Sequence, residues 1–284
     1  MYSARRHRGR HVFDRVVDQL LARLQATVDH RYAAAPFGTS PHAPAEEYRR
    51  RWEDARARAY PAIDDYERAS GDAIDATWLH QLALLTQITI KQSELCYQHG
   101  RLLYSRVRRY VRERAHDHLT IVETGTARGF SALCMAKALA DSGATGKIIT
   151  FDVLPHDIAM LWNSVRDAEG PRTRAELLTD YADLLERHVI FHCGDTRREL
   201  AMMSFPRIHV AMLDSVHTYD HVMAEYDAIR GRQQPGDVLF FDDYTPDAYP
   251  GVVKAADEIC QRWGYRAEVV TAAPKRRYLI AEKV

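Results

Sequence analysis

The feature that most constrains the fold is a regular alternation of short apolar segments with longer helical segments, which begins at residue 119. Five apolar segments have the composition of strands buried on both faces, and each is followed by a stretch with helical spacing: LTIVET, KIITFDV, HVIFHCGD, IHVAMLDS and DVLFFDD. Strands that alternate with helices in this way form an open, mainly parallel sheet that is covered by helices on both faces. The sequence therefore predicts a doubly wound α/β fold.

The end of the chain follows a different pattern. YRAEVVTA and RRYLIAEKV are two strand-like segments, joined by a short turn that contains Pro274 and Lys275. No helical segment lies between them, and a connection this short joins antiparallel strands. We therefore expect the sheet to end in a C-terminal antiparallel hairpin.

The chain before residue 116 contains helical patterns and no strand pattern. We expect helices over 12–30, on both sides of Pro61 and over about 76–115, with a Pro-rich loop between Pro36 and Pro44. These patterns divide the chain into a helical N-terminal region, 1–115, and an α/β domain, 116–284. An apolar-faced helix set off by a Pro-rich loop commonly docks on a neighbouring subunit. We therefore expect a homo-oligomer, in which region 1–115 serves oligomerisation or covers the substrate.

The charge balance narrows the class of partner. The chain has 39 Lys and Arg against 39 Asp and Glu, and this zero net charge does not favour electrostatic binding of nucleic acid or of a membrane surface. No apolar run reaches the ~18 residues of a spanning helix, and Asp14 and Asp18 interrupt any signal-peptide core. The four cysteines form no C-x-x-C pair, so a disulfide framework or a thiolate zinc site is not expected. We predict a cytoplasmic protein that binds neither nucleic acid nor a membrane.

The first strand ends in a turn whose composition suits a ligand. The segment ETGTARGFS runs from the strand through Gly125 and Gly129 into a helix. Glycine lets the backbone approach a ligand closely, and the N–H groups of the helix N-terminus point towards it. The spacing G-x-x-x-G is not the dinucleotide motif G-x-G-x-x-G, and a tight turn also needs glycine for structural reasons alone.

Acidic residues end the second and third strands. Asp152 follows the glycine turn by about two dozen positions, where a carboxylate accepts hydrogen bonds from ribose hydroxyls. Its alternative role is to cap the following helix. Asp195, after the third strand, either faces an adenine amino group or caps the helix that starts at Arg197.

Three carboxylates end the fourth and fifth strands. Asp214 follows the fourth strand, and Asp242 and Asp243 follow the fifth. If these strands are neighbours, their ends lie about 5 Å apart. Carboxylates this close raise one another's pKa unless a cation is bound, and oxygen ligands favour Mg²⁺, Mn²⁺ or Ca²⁺ over zinc. His217, three residues after Asp214, is placed to act as a general base or to orient a substrate. The alternative is that one of the paired aspartates caps a helix and the others are solvated.

Together these residues resemble the class I S-adenosylmethionine-dependent methyltransferases. The likeness is to the metal-dependent O-methyltransferases that tailor macrolides and cephalosporins, and it covers roughly residues 76–284. The E-x-G-x-x-x-G-x-S motif of such families is matched by Glu123, Gly125, Gly129 and Ser131, and their acidic strand-two end by Asp152. Their D-G-D-H-S-Y-like and G-G-x-x-x-x-D-D-like segments are matched by Asp214, His217 and Tyr219 and by Gly236, Asp242 and Asp243. The resemblance implies a Rossmann-like sheet of seven strands.

The resemblance also implies ligands and roles. It implies that S-adenosylmethionine is bound through Glu123, Thr124, Gly125, Gly129, Ser131, Asp152 and Asp195. It implies Mg²⁺, or another divalent cation, on Asp214, Asp242 and Asp243, with Asp214 and His217 as the catalytic residues. The implied substrate is a small molecule of natural-product biosynthesis, a sugar or another secondary metabolite, whose hydroxyl group is methylated.

Two positions depart from the family pattern. Val216 stands where related segments often carry an aspartate that acts as the base, so this role would pass to His217. Asp237 replaces the second glycine before the fifth strand, a change that we expect to matter little. The long segment 156–187 is a candidate lid or substrate wall.

Other functions remain open at this point. A metal-independent O- or N-methyltransferase would use His217 as its base. A nicotinamide-dependent Rossmann oxidoreductase would need the G-x-G-x-x-G motif that the chain lacks. A non-catalytic binding protein would use the α/β domain only as a scaffold.

Overall fold

The fold is built on one mixed sheet of seven strands. The computed structural model describes residues 35–114 and 118–284, so the helix predicted over 12–30 lies outside the described residues. In chain order the strands are β1 (Leu119–Thr124), β2 (Gly146–Asp152), β3 (Val189–Cys193), β4 (Val210–Leu213), β5 (Val238–Phe241), β6 (Tyr265–Ala273) and β7 (Arg276–Lys283). Their order across the sheet is β3-β2-β1-β4-β5-β7-β6.

The pairing of the strands confirms the predicted fold class. Strands β1 to β5 pair in parallel, and β7 pairs antiparallel with both β5 and β6. The chain is therefore a doubly wound sheet with a C-terminal antiparallel hairpin. Because β1 lies between β2 and β4, the strand order reverses there, and ligands of such sheets bind outside the carboxyl ends of the strands at this point.

Helices flank the sheet and precede it. They are α1 (Ala45–Arg56), α2 (Pro61–Ser70), α3 (Ala76–Thr86), α4 (His99–Arg114), α5 (Phe130–Asp141), α6 (Arg174–Leu177), α7 (Ala182–His188), α8 (Thr196–Met202), α9 (Tyr219–Ile229) and α10 (Pro250–Trp263). Short 3₁₀ turns cover Asp167–Glu169, Thr179–Tyr181 and Arg230–Arg232. Within the two described ranges, no helix has the length and apolar character needed to cross a membrane.

The helical region before β1 differs from the prediction in one place. The break at Pro61 is confirmed, because this proline begins α2, where its missing N–H has no helical partner to lose. The single block predicted over 76–115 is wrong, since α3 ends at Thr86 and residues 87–98 form an irregular segment before α4. This segment begins with the β-branched run Ile88–Ile90, whose side chains are restricted in a helix.

The two faces of the sheet bury different helices. Alternate residues of β1 point to opposite faces: Ile121 packs with α4 and α5, whereas Val122 packs with α9 and α10. The first of these apolar clusters also contains buried residues of the N-terminal helices, such as Tyr48 of α1 and Leu79 of α3. The described helices before β1 therefore share one continuous core with the sheet.

Asp237, the residue before β5, anchors α4 to the sheet. Its carboxylate is fully buried and accepts hydrogen bonds from the Tyr110 hydroxyl at 2.6 Å and from Arg207 Nη2 at 2.8 Å. It also accepts one from the backbone N–H of Gln234 at 2.6 Å. The expectation that this departure from glycine matters little is therefore wrong, because the side chain joins a helix, a loop and a strand.

Replacing Asp237 with Ala should lower the free energy of unfolding by about 3 kcal/mol. The substitution removes the buried carboxylate that balances the Arg207 guanidinium, and a broken buried pair costs far more than an exposed one. Asp54→Ala is the matched control, because Asp54 is paired with Arg50 on the surface and should contribute less than about 1 kcal/mol. Urea unfolding measures the stability of both variants. Equal losses of unfolding free energy would contradict the role of Asp237 in anchoring α4 to the sheet.

Candidate active site

A cavity of about 1420 Å³ opens at the carboxyl edge of the sheet. The loops after β1, β2, β3, β4 and β5 all contribute to its wall. The wall has two further parts. One is the irregular segment between α3 and α4, with Lys91 and Cys96, which belongs to the region expected to serve oligomerisation or to cover the substrate; the other is the hairpin turn Ala273–Arg276, which sequence reasoning missed. The volume exceeds that of a typical single-ligand pocket, so the cavity has room for two small molecules side by side.

At Gly125 the turn after β1 comes very close to the end of β4. Its φ is +87°, and a Cβ atom placed there would lie 2.1 Å from the backbone oxygen of Asp214. No side chain therefore fits at this position, and the turn after β1 lies directly against the end of β4. Glycine is required here by close approach as well as by backbone conformation.

Glu123 supports this turn from inside the protein. Its side chain is fully buried and does not line the cavity. The carboxylate accepts hydrogen bonds from the hydroxyls of Ser131, on α5, and Thr150, on β2. Burial raises the pKa of Glu123 to about 7. The network ties the first turn of α5 to two strands, and a direct contact of Glu123 with a cofactor stays a prediction.

Thr124 links the ends of β1 and β4 in a similar way. Its hydroxyl accepts a hydrogen bond from the Asp214 backbone N–H at 3.1 Å and donates one to Glu225 Oε2 at 3.1 Å. Glu225, on α9, is almost fully buried and also accepts hydrogen bonds from Thr196 and Ser215, both at 2.5 Å. This second buried carboxylate therefore fixes the loops after β1, β3 and β4 relative to one another.

Asp152 and Asp195 both line the cavity, and each has a local role as well. Asp152 accepts hydrogen bonds from the backbone N–H groups of Ala127 at 2.6 Å and Leu154 at 2.8 Å, so it fastens the glycine turn and caps no helix. Asp195 caps α8 through the Arg197 N–H at 3.0 Å and is paired with the Arg197 guanidinium at 2.9 Å. Four of the seven residues predicted to bind the cofactor line the cavity: Gly125, Ser131, Asp152 and Asp195. The other three lie behind its wall: Glu123, Thr124 and Gly129.

An acidic cluster lies beside the glycine turn. His217 Nε2 is 3.3 Å from Asp214 Oδ1 and 3.1 Å from Asp243 Oδ2, and one ligating atom from each side chain lies within 4.8 Å of the others. Desolvation and the charge of Asp242 raise the pKa of Asp214 to about 8. Hydrogen bonds with Asp214 and Asp243 raise the pKa of His217 to about 10. The two carboxylates and the imidazole offer oxygen and nitrogen ligand atoms close enough together to fit a divalent cation.

Arg276 is a site residue that sequence reasoning missed. From the start of β7, its Nη2 lies 2.7 Å from Asp242 Oδ2, and its Nη1 is paired with Asp243. Asp242 is thus held on the arginine and stands outside the three-residue cluster, although all three predicted metal ligands line the cavity. The antiparallel register of β5 and β7 could have indicated this contact. Phe241 lies opposite Leu279, so the residues just after β5 lie near the start of β7, where Arg276 is.

The candidate lid, 156–187, occupies a different place from the one expected. None of its residues lines the cavity. Asn163 instead accepts a hydrogen bond from the Tyr48 hydroxyl of α1 and one from the Ile90 N–H, both at 2.9 Å. The segment therefore braces the irregular segment 87–98, which itself forms part of the cavity wall.

Comparison with known proteins decides the class of this site. Residues 122–244 match the protein family described as "Methyltransferase domain", a stretch that runs from β1 to the residues just after β5. The chain carries a class I methyltransferase domain. Enzymes of this class take their methyl group from S-adenosylmethionine, so the alternative of a nicotinamide-dependent oxidoreductase is wrong.

The fold is similar to that of one solved O-methyltransferase, and two further structures superpose with lower scores. The O-methyltransferase NovP superposes with a TM-score of 0.50 at 17% identity, over 68% of this chain and 82% of that one. TomG from Streptomyces achromogenes, an O-methyltransferase solved with S-adenosylmethionine, gives 0.48 at 17% identity, over 75% and 92% of the two chains. A putative O-methyltransferase from Klebsiella pneumoniae gives 0.48 at 16% identity, over 80% and 91%. The search of curated proteins gave no match.

The stability of the methyltransferase domain should depend on pH through Glu123. Because its pKa is raised in the folded state, the folded protein binds this proton more tightly, and stability falls as the pH rises from about 4.5 to about 7. Between pH 5 and pH 8 the free energy of unfolding of the wild type should fall by about 2–3 kcal/mol more than that of Glu123→Gln, because the glutamine has no charge to bury. Urea unfolding of both proteins at the two pH values measures this difference. A difference that does not change with pH would contradict a raised pKa.

Proposed function

We propose that this protein transfers the methyl group of S-adenosylmethionine to a hydroxyl group of a small polar molecule. The observation that supports the proposal is the contact at Gly125, where the turn after β1 lies against the backbone of Asp214, a member of the acidic cluster. A methyl donor on one side and a hydroxyl on the other would then meet at a fixed distance. Positioning of this kind supplies much of the acceleration in a direct displacement.

The donor side is assigned to the ends of β1, β2 and β3. The turn Gly125–Ala127 and the N-terminus of α5 suit the methionine part, because their backbone can approach it closely. Asp152 is placed to accept hydrogen bonds from the ribose hydroxyls. Asp195 is proposed to face the adenine while it continues to cap α8.

The acceptor side is assigned to the ends of β4 and β5. We assign a divalent cation, with Mg²⁺ as the first candidate, to the carboxylates of Asp214 and Asp243, with Asp242 beside them. When bound, such an ion lowers the pKa of the acceptor hydroxyl and takes up the charge of the carboxylates. Its charge would also lower the pKa of His217, which is raised to about 10 without an ion, so that Nε2 could accept the hydroxyl proton. Asp214 orients the ring and stabilises the imidazolium that forms.

A metal-independent methyltransferase is the second candidate, and Arg276 favours it. Its guanidinium is paired with both Asp242 and Asp243, so it supplies a positive charge at the position assigned to the cation. In that case the carboxylates orient the acceptor, and His217 acts as the base once its ring has lost the proton that Asp214 and Asp243 stabilise. Because its pKa is raised to about 10, activity that depends on this base should rise with pH. Removal of divalent ions separates the two candidates.

Donor binding should depend on Asp152. We expect calorimetry to detect binding of S-adenosylhomocysteine to the wild type and a loss of at least about tenfold in affinity for Asp152→Asn, because a charge-assisted hydrogen bond to the ribose is weakened. Asp157→Asn is the matched control, since Asp157 is exposed on the same loop and does not line the cavity. Absence of binding to the wild type at millimolar ligand would contradict the proposed function.

Cation binding should depend on Asp243. Titration with Mn²⁺, followed by its paramagnetic resonance signal, should give an affinity at least about tenfold lower for Asp243→Asn than for the wild type. Asparagine tolerates the left-handed backbone of this residue, whose φ is +56°, so the variant tests the charge alone. Asp220→Asn, an exposed site six residues after Asp214, is the control. Equal Mn²⁺ affinity in all three proteins, together with activity that resists EDTA, would instead support the arginine-paired, metal-independent candidate.

A further inference from the structure

His99 has a place in the cavity that the proposed function does not use. It is the first residue of α4, it lines the cavity, and its side chain is 4% exposed. Its ring packs edge-on against Phe130, with 4.9 Å between the ring centres, and lies 6.3 Å from the ring of Tyr278. Phe130 begins α5 directly after the glycine turn. The imidazole therefore lies where α4, the glycine turn and the hairpin meet.

One nitrogen of the His99 imidazole has no hydrogen-bond partner in the part of the chain that the structure describes. Nδ1 is buried and has none among the described residues, although buried polar atoms in proteins are normally paired. The other two histidines in the described cavity wall are engaged: His217 contacts Asp214 and Asp243, and His221 contacts Thr196. An unpartnered ring nitrogen in the wall of a ligand cavity points to a bond that a ligand completes.

The ring of His99 is neutral. Burial lowers the pKa of His99 to about 4, so at neutral pH one ring nitrogen donates and the other accepts a hydrogen bond. A neutral group of this kind matches a hydroxyl. It offers no ion pair to a charged group.

We propose that His99 binds the methyl acceptor, through a hydrogen bond between its imidazole and a second hydroxyl of that molecule. This inference rests on the proposed function and assigns His99 as a residue that selects the acceptor. The hydroxyl that is methylated reaches the acidic cluster, and the second hydroxyl reaches the imidazole of His99, which lines the same cavity.

Two variants separate the polar role of His99 from its packing role. His99→Phe keeps a ring against Phe130 and removes both nitrogens, whereas His99→Asn restores a polar atom near the position of Nδ1. His118→Phe is the matched control, since His118 is exposed and does not line the cavity. Binding of S-adenosylhomocysteine within twofold of the wild type shows that each variant is folded and that the donor side is intact.

The probes are methyl α-D-glucopyranoside and catechol, both of which carry adjacent hydroxyls. With S-adenosylhomocysteine bound, nitrogen-15 spectra of the wild type should show a saturable shift of the His99 ring resonances on addition of at least one probe. The dissociation constant of that probe should rise at least tenfold in His99→Phe and recover in part in His99→Asn. His118→Phe should bind the probe as the wild type does.

Two results would overturn the role of His99: unshifted ring resonances with both probes, or unchanged probe affinity in His99→Phe. Either result leaves the methyltransferase assignment standing as long as S-adenosylhomocysteine still binds the wild type. Failure of the wild type to bind S-adenosylhomocysteine overturns the proposed function itself, and the role of His99 falls with it. The binding of S-adenosylhomocysteine and the binding of the probes therefore distinguish a failure of the proposed function from a failure of the role of His99.

Discussion

The close approach of the turn after β1 to the end of β4 is the constraint on which the site depends. Gly125 leaves no room for a side chain between its own backbone and the carbonyl oxygen of Asp214. Two buried carboxylates hold this contact from behind: Glu123 through the first turn of α5, and Glu225 through Thr124. Neither carboxylate touches the cavity. Their hydrogen bonds hold the end of β1 in place against the end of β4, and with it the two ligand sites that we propose on either side of this contact.

Negative charge is the second organising feature of this edge. The three aspartates after β4 and β5 lie close enough to perturb one another, and the protein compensates with His217 and Arg276. A bound cation and the Arg276 guanidinium would act in the same way, because either positive charge keeps buried carboxylates ionised that desolvation would otherwise protonate. Under the proposed function, a bound cation means that a metal activates the acceptor hydroxyl, and its absence means that only protein groups do.

The sequence predicts those parts of the structure that follow from short-range patterns. Apolar runs and their spacing were enough to place the five parallel strands, the terminal hairpin and the helix break at Pro61, since burial and turn geometry act over a few residues. Asp237 and Arg276 could not be placed in this way. Their partners, Tyr110 and Asp243, are more than 30 residues away in the chain, and only the packed sheet brings them together. The end of α3 at Thr86 was not predicted, because the residues before and after the β-branched run Ile88–Ile90 both have helical spacing.

The division of the cavity between parts of the chain explains why the acceptor is harder to predict than the donor. The glycine turn, Asp152 and the acidic cluster all lie within residues 122–244, the stretch that matches the methyltransferase domain family. Lys91, His99 and Arg276 line the same cavity from outside that stretch. Under the proposed function, the stretch that matches the family contains the residues assigned to methyl transfer, whereas the rest of the cavity wall comes from the chain before β1 and from the terminal hairpin. Substitutions in those two regions would then alter which acceptor is bound without disturbing the residues assigned to the donor.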